Sequence, residues 1–173
     1  MRKQLKQLGS SERHTFQGVF KGVGFKSSYR NHYLPTLVLE QITFEGKIMT
    51  NHLWCNYTRQ FSKLGVLKIG DVVQFDARIK RYTKGYKTSS KKVDYGIERP
   101  TKVVLLEETE TPRLSLPDAL TDKNALIGYI MMTNEAYYLA TGRPYDEWYV
   151  MQFKAWRERQ GNKADNDASS ENG

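Results

Sequence analysis

Lysines and arginines interleaved with tyrosines and one tryptophan are the side chains of this chain whose types and spacing could do chemistry. The set is Lys26, Tyr29, Arg30, Tyr33, Trp54, Arg78, Lys80, Tyr82, Lys84, Tyr86, Lys87, Lys91, Lys92, Tyr95 and Arg99. Single-stranded nucleic acid calls for that combination. Cations along a groove neutralise phosphates, and flat rings carry unstacked bases, each stack being worth about 1–3 kcal/mol by truncation. The competing reading is a solvated lysine-rich loop, with tyrosines filling the ends of a small barrel.

Other chemistries fare worse. His52 and Cys55 stand three apart, a spacing that on a strand points them to opposite faces. With a single cysteine in the chain there is no disulfide framework and no cysteine-rich zinc shell. Asp71, Asp76 and Asp94 could be put forward as magnesium ligands of a nuclease, but Asp71 reads as a turn residue. Asp76 lies two residues from Arg78 on one strand face, where an ion pair is the simpler account. The glycine-rich run GVFKGVG (18–24) opens no helix and has no GK[ST] ending, so it is not a phosphate loop. The expectation is a non-enzymatic protein with no catalytic residues, no metal and no cofactor.

The elements that must position the basic and aromatic residues follow from periodicity. Val73, Phe75, Ala77 and Ile79 alternate with Gln74, Asp76, Arg78, Lys80 and Tyr82, the two-residue period of a half-buried strand. After it comes the polar stretch TKGYKTSSKK (83–92), which suits a long loop. Upstream, residues 14–25 have strand composition broken by Gly18, Gly22 and Gly24, as in a long strand that bends to serve two neighbours. KSSYRNHY (26–33) is a second polar loop with cations and rings. Residues 37–44 and 48–57 read as strands joined by a tight turn at Glu45-Gly46. Residues 59–64 read as a short helix ended by Gly65, and residues 93–95 and 102–107 as a last strand interrupted at Arg99-Pro100. On the third strand His52, Trp54 and Asn56 share a side opposite Leu53 and Cys55, which places Trp54 outside if Leu53 points in.

Three strands, a short helix and two strands is the order of a five-stranded oligonucleotide-binding (OB) Greek-key barrel, whose loops between strands 1 and 2 and strands 4 and 5 flank the binding surface. The two basic, tyrosine-bearing loops occupy those positions. His52-Leu53-Trp54, Gly70-Asp71, Phe75-Asp76-Ala77-Arg78, Tyr82 with Lys84-Gly85-Tyr86, Asp94-Tyr95 and Arg99-Pro100-Thr101-Lys102 together resemble a pattern recurring in small prokaryotic, phage or plasmid proteins related to OB-fold nucleic-acid binders. The resemblance covers residues 13–108 and implies fold and partner class only.

Charge is distributed to match. Residues 1–108 carry 20 Lys and Arg against 9 Asp and Glu, whereas residues 109–173 carry 7 against 10. A domain so basic attracts polyanions, nucleic acid first among them. No run approaches the ~18 apolar residues of a membrane span, and residues 1–14 lack the apolar core of a signal peptide. A cytoplasmic protein without a membrane partner is the expectation.

Past Glu110 the composition changes. Residues 111–117 read as a linker with Pro112 and Pro117, residues 118–141 as one helix ended by Gly142, and a second helix with Pro144 in its first turn carries Tyr145, Trp148, Tyr149, Gln152, Phe153 and Trp156. The expected organisation is thus a mainly β protein with an α appendage. Residues 1–12 form a flexible basic arm, 13–110 the OB-type barrel, 111–117 a linker, 118–160 a helical hairpin and 161–173 a disordered tail. The hairpin would pack on itself or the barrel, or serve a protein partner or self-association. The functional expectation is binding of single-stranded DNA or RNA in replication, recombination or repair of a phage, plasmid or bacterial genome. The alternative is a protein-docking module or inhibitor of a nucleic-acid-handling partner.

Overall fold

The computed structural model describes residues 2–84, 91–107 and 111–171, with side chains as far as Lys163. Five antiparallel strands form one sheet: β1 (Arg13–Ser27), β2 (Tyr33–Phe44), β3 (Lys47–Asn56), β4 (Val72–Lys84) and β5 (Lys92–Leu105), in the spatial order β3-β2-β1-β4-β5. The expected closed barrel is not formed. No ladder joins β3 to β5 among the described residues, so the sheet is open, although these two edge strands approach one another.

The first strand bends as its glycines imply. Residues 13–19 of β1 pair with β4 and residues 17–27 with β2, and the β2 register slips on either side of Gly18 and again between Phe20 and Gly22. At the first slip the extra residue is on β2, where Gln41 takes φ +49, and at the second it is on β1; the two bulges bend the paired strands, so one long element serves two neighbours. Glu45 and Gly46, both at positive φ, make the β2–β3 turn. The last strand is continuous through Pro100. Its irregularity appears instead as positive φ at Arg99 and Lys102 and as register slips opposite Asp76. A proline is tolerated there because β5 is an edge strand.

Helix α1 (Lys3–Leu8) replaces the expected flexible arm. Its Leu5 is fully buried, and the helix packs against β3, β4 and β5, lying over the gap between the two sheet edges. Covering unpaired edges in this way blocks edge-to-edge association. Helix α2 (Arg59–Ser62) stands between β3 and β4, with Gly65 at φ +81 just beyond it.

The expected first hairpin helix is two: α3 (Lys123–Thr133) and α4 (Glu135–Thr141), meeting at Asn134. Helix α5 (Glu147–Glu171) begins after Pro144, with Asp146 Oδ1 accepting the Trp148 N–H at 2.9 Å, and its bounds take in most of the stretch expected as a tail. Leu126, Ile127, Ile130 and Met131 of α3, Tyr138 of α4 and Val150 of α5 are buried in the same core as Phe16, Leu39, Phe75 and Ile79 of the sheet. Helices and sheet therefore share one core. Gly128 permits the closest contact: a Cβ there would stand 1.9 Å from the Tyr149 carbonyl oxygen.

Candidate nucleic-acid interface

The seam between β3 and β5 is bridged by a side chain that sequence reasoning passed over. The Arg2 guanidinium donates through Nε to Thr50 Oγ1 (3.1 Å) on β3 and through Nη1 to Tyr82 Oη (2.9 Å) on β4. The same Nη1 reaches Asp94 Oδ2 (3.2 Å) and the Tyr95 carbonyl (3.1 Å) on β5. Asp94, only 4% exposed, also accepts the Arg2 and Tyr95 backbone N–H groups and pairs with Lys84 Nζ at 2.6 Å. Burial works to raise the Asp94 carboxyl. The bond from Lys84 and those from the two N–H groups outweigh burial and hold it well below the usual carboxylate range.

Alongside this bridge runs a groove of about 420 Å³ lined by Arg2, Lys26, His52, Trp54, Lys80, Tyr82 and Lys84. Alternation explains the lining. On β3, Leu53 and Cys55 are buried while His52, Trp54 and Asn56 face out, and Trp54 keeps 56% of its surface. On β4, Lys80, Tyr82 and Lys84 share a side, opposite buried Ile79. Lys26 comes from the end of β1, where the β1–β2 connection leaves the sheet. Residues from both polar loops' bases thus meet on one groove with an exposed indole. Lys84 is partly neutralised by Asp94, which leaves Lys26 and Lys80 as the cations with no carboxylate partner there among the described residues.

The remaining expected residues spread more widely. Tyr29, 78% exposed, and Arg30 form a 3-10 turn, the guanidinium lying 5.2 Å from the tyrosine ring centroid. Tyr33 is half-buried between the rings of Phe25 (4.6 Å) and Tyr149 (5.5 Å), a packing position. Tyr95 is half-buried against the core. Lys91 and Lys92 are exposed at the start of β5, with Lys92 opposite Lys84. Arg78 lies opposite Glu98, and Arg99 sits at the bulge where its carbonyl accepts from Arg13; neither lines the groove. Tyr86 and Lys87 fall outside the described residues.

The carboxylates weighed as metal ligands stand apart. Asp71 is clamped by Arg113 (2.6 and 3.0 Å) and by the Lys68 N–H. Asp76 accepts from Thr15 Oγ1 at 2.6 Å and faces Lys102 at 3.7 Å rather than Arg78. Among the described residues no three His, Cys, Asp or Glu side chains gather as a metal site. Burial pushes the Cys55 thiol up to about 12, and no helix of the described residues is long and apolar enough to cross a membrane.

A second cleft of about 370 Å³ adjoins the groove through Lys26 and Trp54 and reaches Asn134, Tyr137, Tyr138 and Arg143. Its helical wall was hidden in the sequence, where Tyr137 fell within an apolar helix pattern. The signal available was Arg143 directly after the helix-ending Gly142. Comparison of the chain with family models, curated proteins and solved structures gives no match.

Proposed function

We propose that this chain is a non-enzymatic binder of single-stranded nucleic acid, DNA or RNA, held across the outer side of an OB-type sheet. The observation that carries the reading is the convergence of Lys26 from β1, Trp54 from β3 and Lys80, Tyr82 and Lys84 from β4 on one groove. Cations there meet phosphates and the indole offers a stacking face. Support for the fold type comes from the element order, three strands, α2 and two strands, with β1 pairing both β2 and β4. OB folds are themselves partly open Greek-key barrels.

Titration of labelled oligodeoxythymidylates and oligouridylates across a salt series tests it. Affinity is expected to fall linearly with salt on a log–log plot, and Lys26→Ala and Lys80→Ala are each expected to flatten the slope by about 0.7. Trp54→Ala is expected to weaken binding about five-fold or more with the slope unchanged. Affinity indifferent to salt and to these three substitutions would remove the proposal.

A second reading, docking onto a protein that handles nucleic acid, draws on Trp148 and Met151. These stand three apart on α5, and each is at least half exposed. It is the reading left standing if oligonucleotides of every length fail to bind.

A further inference from the structure

The cleft between the sheet and α4 shares Lys26 and Trp54 with the groove just described, and its other wall carries the same kinds of side chain. On the sheet side Trp54 packs against β1 at Gly24. A Cβ at Gly24 would come within 3.2 Å of its Cζ3 and 3.4 Å of its Cη2, so the missing side chain is what lets the indole settle there. On the helical side Tyr137 is 60% exposed. Asn134 fastens this wall to the sheet, donating from Nδ2 to the Val23 carbonyl at 2.9 Å and to Tyr138 Oη at 3.3 Å.

The cations are placed by the backbone. Gly142 at φ +70 ends α4 and turns the chain so that the Arg143 N–H donates to the Tyr138 carbonyl at 3.0 Å. The Arg143 guanidinium then rests 5.3 Å from the Tyr138 ring centroid. Among the described residues no carboxylate or carbonyl engages that guanidinium or the Lys26 ammonium, so both have donors free for an anion. The volume, about 370 Å³, lies within the ~300–1,000 Å³ of small-ligand sites.

We propose that this cleft is a nucleotide subsite, taking one unstacked base of the strand against Trp54 and Tyr137, with its phosphate on Lys26 and Arg143. Rings alone would suit any apolar guest. Two unpaired cations at the edge of aromatic walls select a flat group that carries a phosphate. The inference rests on the single-strand reading and extends it: the strand leaves the groove past Trp54 and ends its path against α4, so the helices add to the binding surface as well as to the core.

The test uses the full chain with oligodeoxythymidylates and oligouridylates of increasing length. Tyr137→Ala and Arg143→Gln substitute exposed side chains outside the groove, and circular dichroism checks that each variant is folded. Each is expected to weaken binding about five-fold or more and to shorten by about one nucleotide the length at which affinity stops rising. Arg143→Gln alone is expected to flatten the salt slope, by about 0.7, and Arg143→Lys to restore it. Wild-type binding left unchanged by both substitutions would overturn the subsite and leave the groove intact. Absence of wild-type binding would overturn both. If Tyr137→Ala does not fold, Tyr137→Leu, which keeps an apolar side chain and removes the ring, carries the same expectation.

Discussion

Arg2 joins β3 to β5, which no backbone ladder joins among the described residues. Its guanidinium is held by groups from β3, β4 and β5, and its carboxylate partner Asp94 is almost wholly enclosed. Without the guanidinium Asp94 keeps Lys84 and its two backbone N–H donors, so what is lost is a set of hydrogen bonds to charged groups, worth about 2 kcal/mol. Arg2→Ala is therefore expected to lower the unfolding free energy measured in urea by that amount, with Arg2→Lys recovering part of it, because an ammonium cannot reproduce the fork. The carboxylates give the pH dependence. Burial raises Asp94, Asp71 and Asp118, yet Lys84, Arg113, Arg59 and backbone N–H groups more than offset it, so all three are depressed in the folded state. Groups depressed on folding contribute stability that is fully present above their unfolded value of about 3.9 and is lost as pH falls through the folded one. Thermal midpoints should hold from pH 7 to about 4 and fall below that, less steeply in Asp94→Asn, which is already weakened at neutral pH. Cys55, its thiol raised by burial against the pull of Arg2, should resist alkylation at neutral pH until the chain unfolds.

Among the elements, the sheet was legible and the helical layer only in part. Strict alternation in residues 72–80 and the Glu45-Gly46 turn are local signals, and they marked β4, β2 and β3 to within a few residues. The same parity placed Trp54 outside. Nothing comparable marks the break between α3 and α4. It falls at Asn134 with no proline or glycine, where the Asn134 side chain bonds a carbonyl 111 residues away. From sequence Tyr33 reads as a loop ring free to stack, because its packing against Tyr149 is equally long-range. The α3–α5 contact provides a paired test. Gly128→Ala would drive a methyl into the Tyr149 carbonyl and is expected to cost about 3 kcal/mol. Gly161→Ala, on an α5 site with nothing within 4 Å, is expected to stabilise by about 0.5–1 kcal/mol. Comparing the two by denaturant unfolding separates contact from propensity.

For the whole molecule, closure of the sheet was the feature least open to sequence reasoning. Whether β3 and β5 pair depends on how far the bulges of β1, β2 and β5 curl the sheet, a sum of small twists with no local signature. The chain meets the resulting gap with its own first residues, so α1 and Arg2 belong to the fold rather than to a tail. The basic face and the helical layer flank the same indole, and that gives the central claim its sharpest test. The chain has three tryptophans: Trp54 in the groove, Trp148 exposed on α5 and Trp156 buried, with 7% of its surface exposed. Their indole N–H resonances in a 15N-labelled sample can be followed as a single-stranded oligonucleotide is added. The Trp54 resonance should shift and saturate with the binding isotherm while Trp156 stays in place. Saturated binding that leaves Trp54 unmoved, or moves Trp148 alone, would contradict the account.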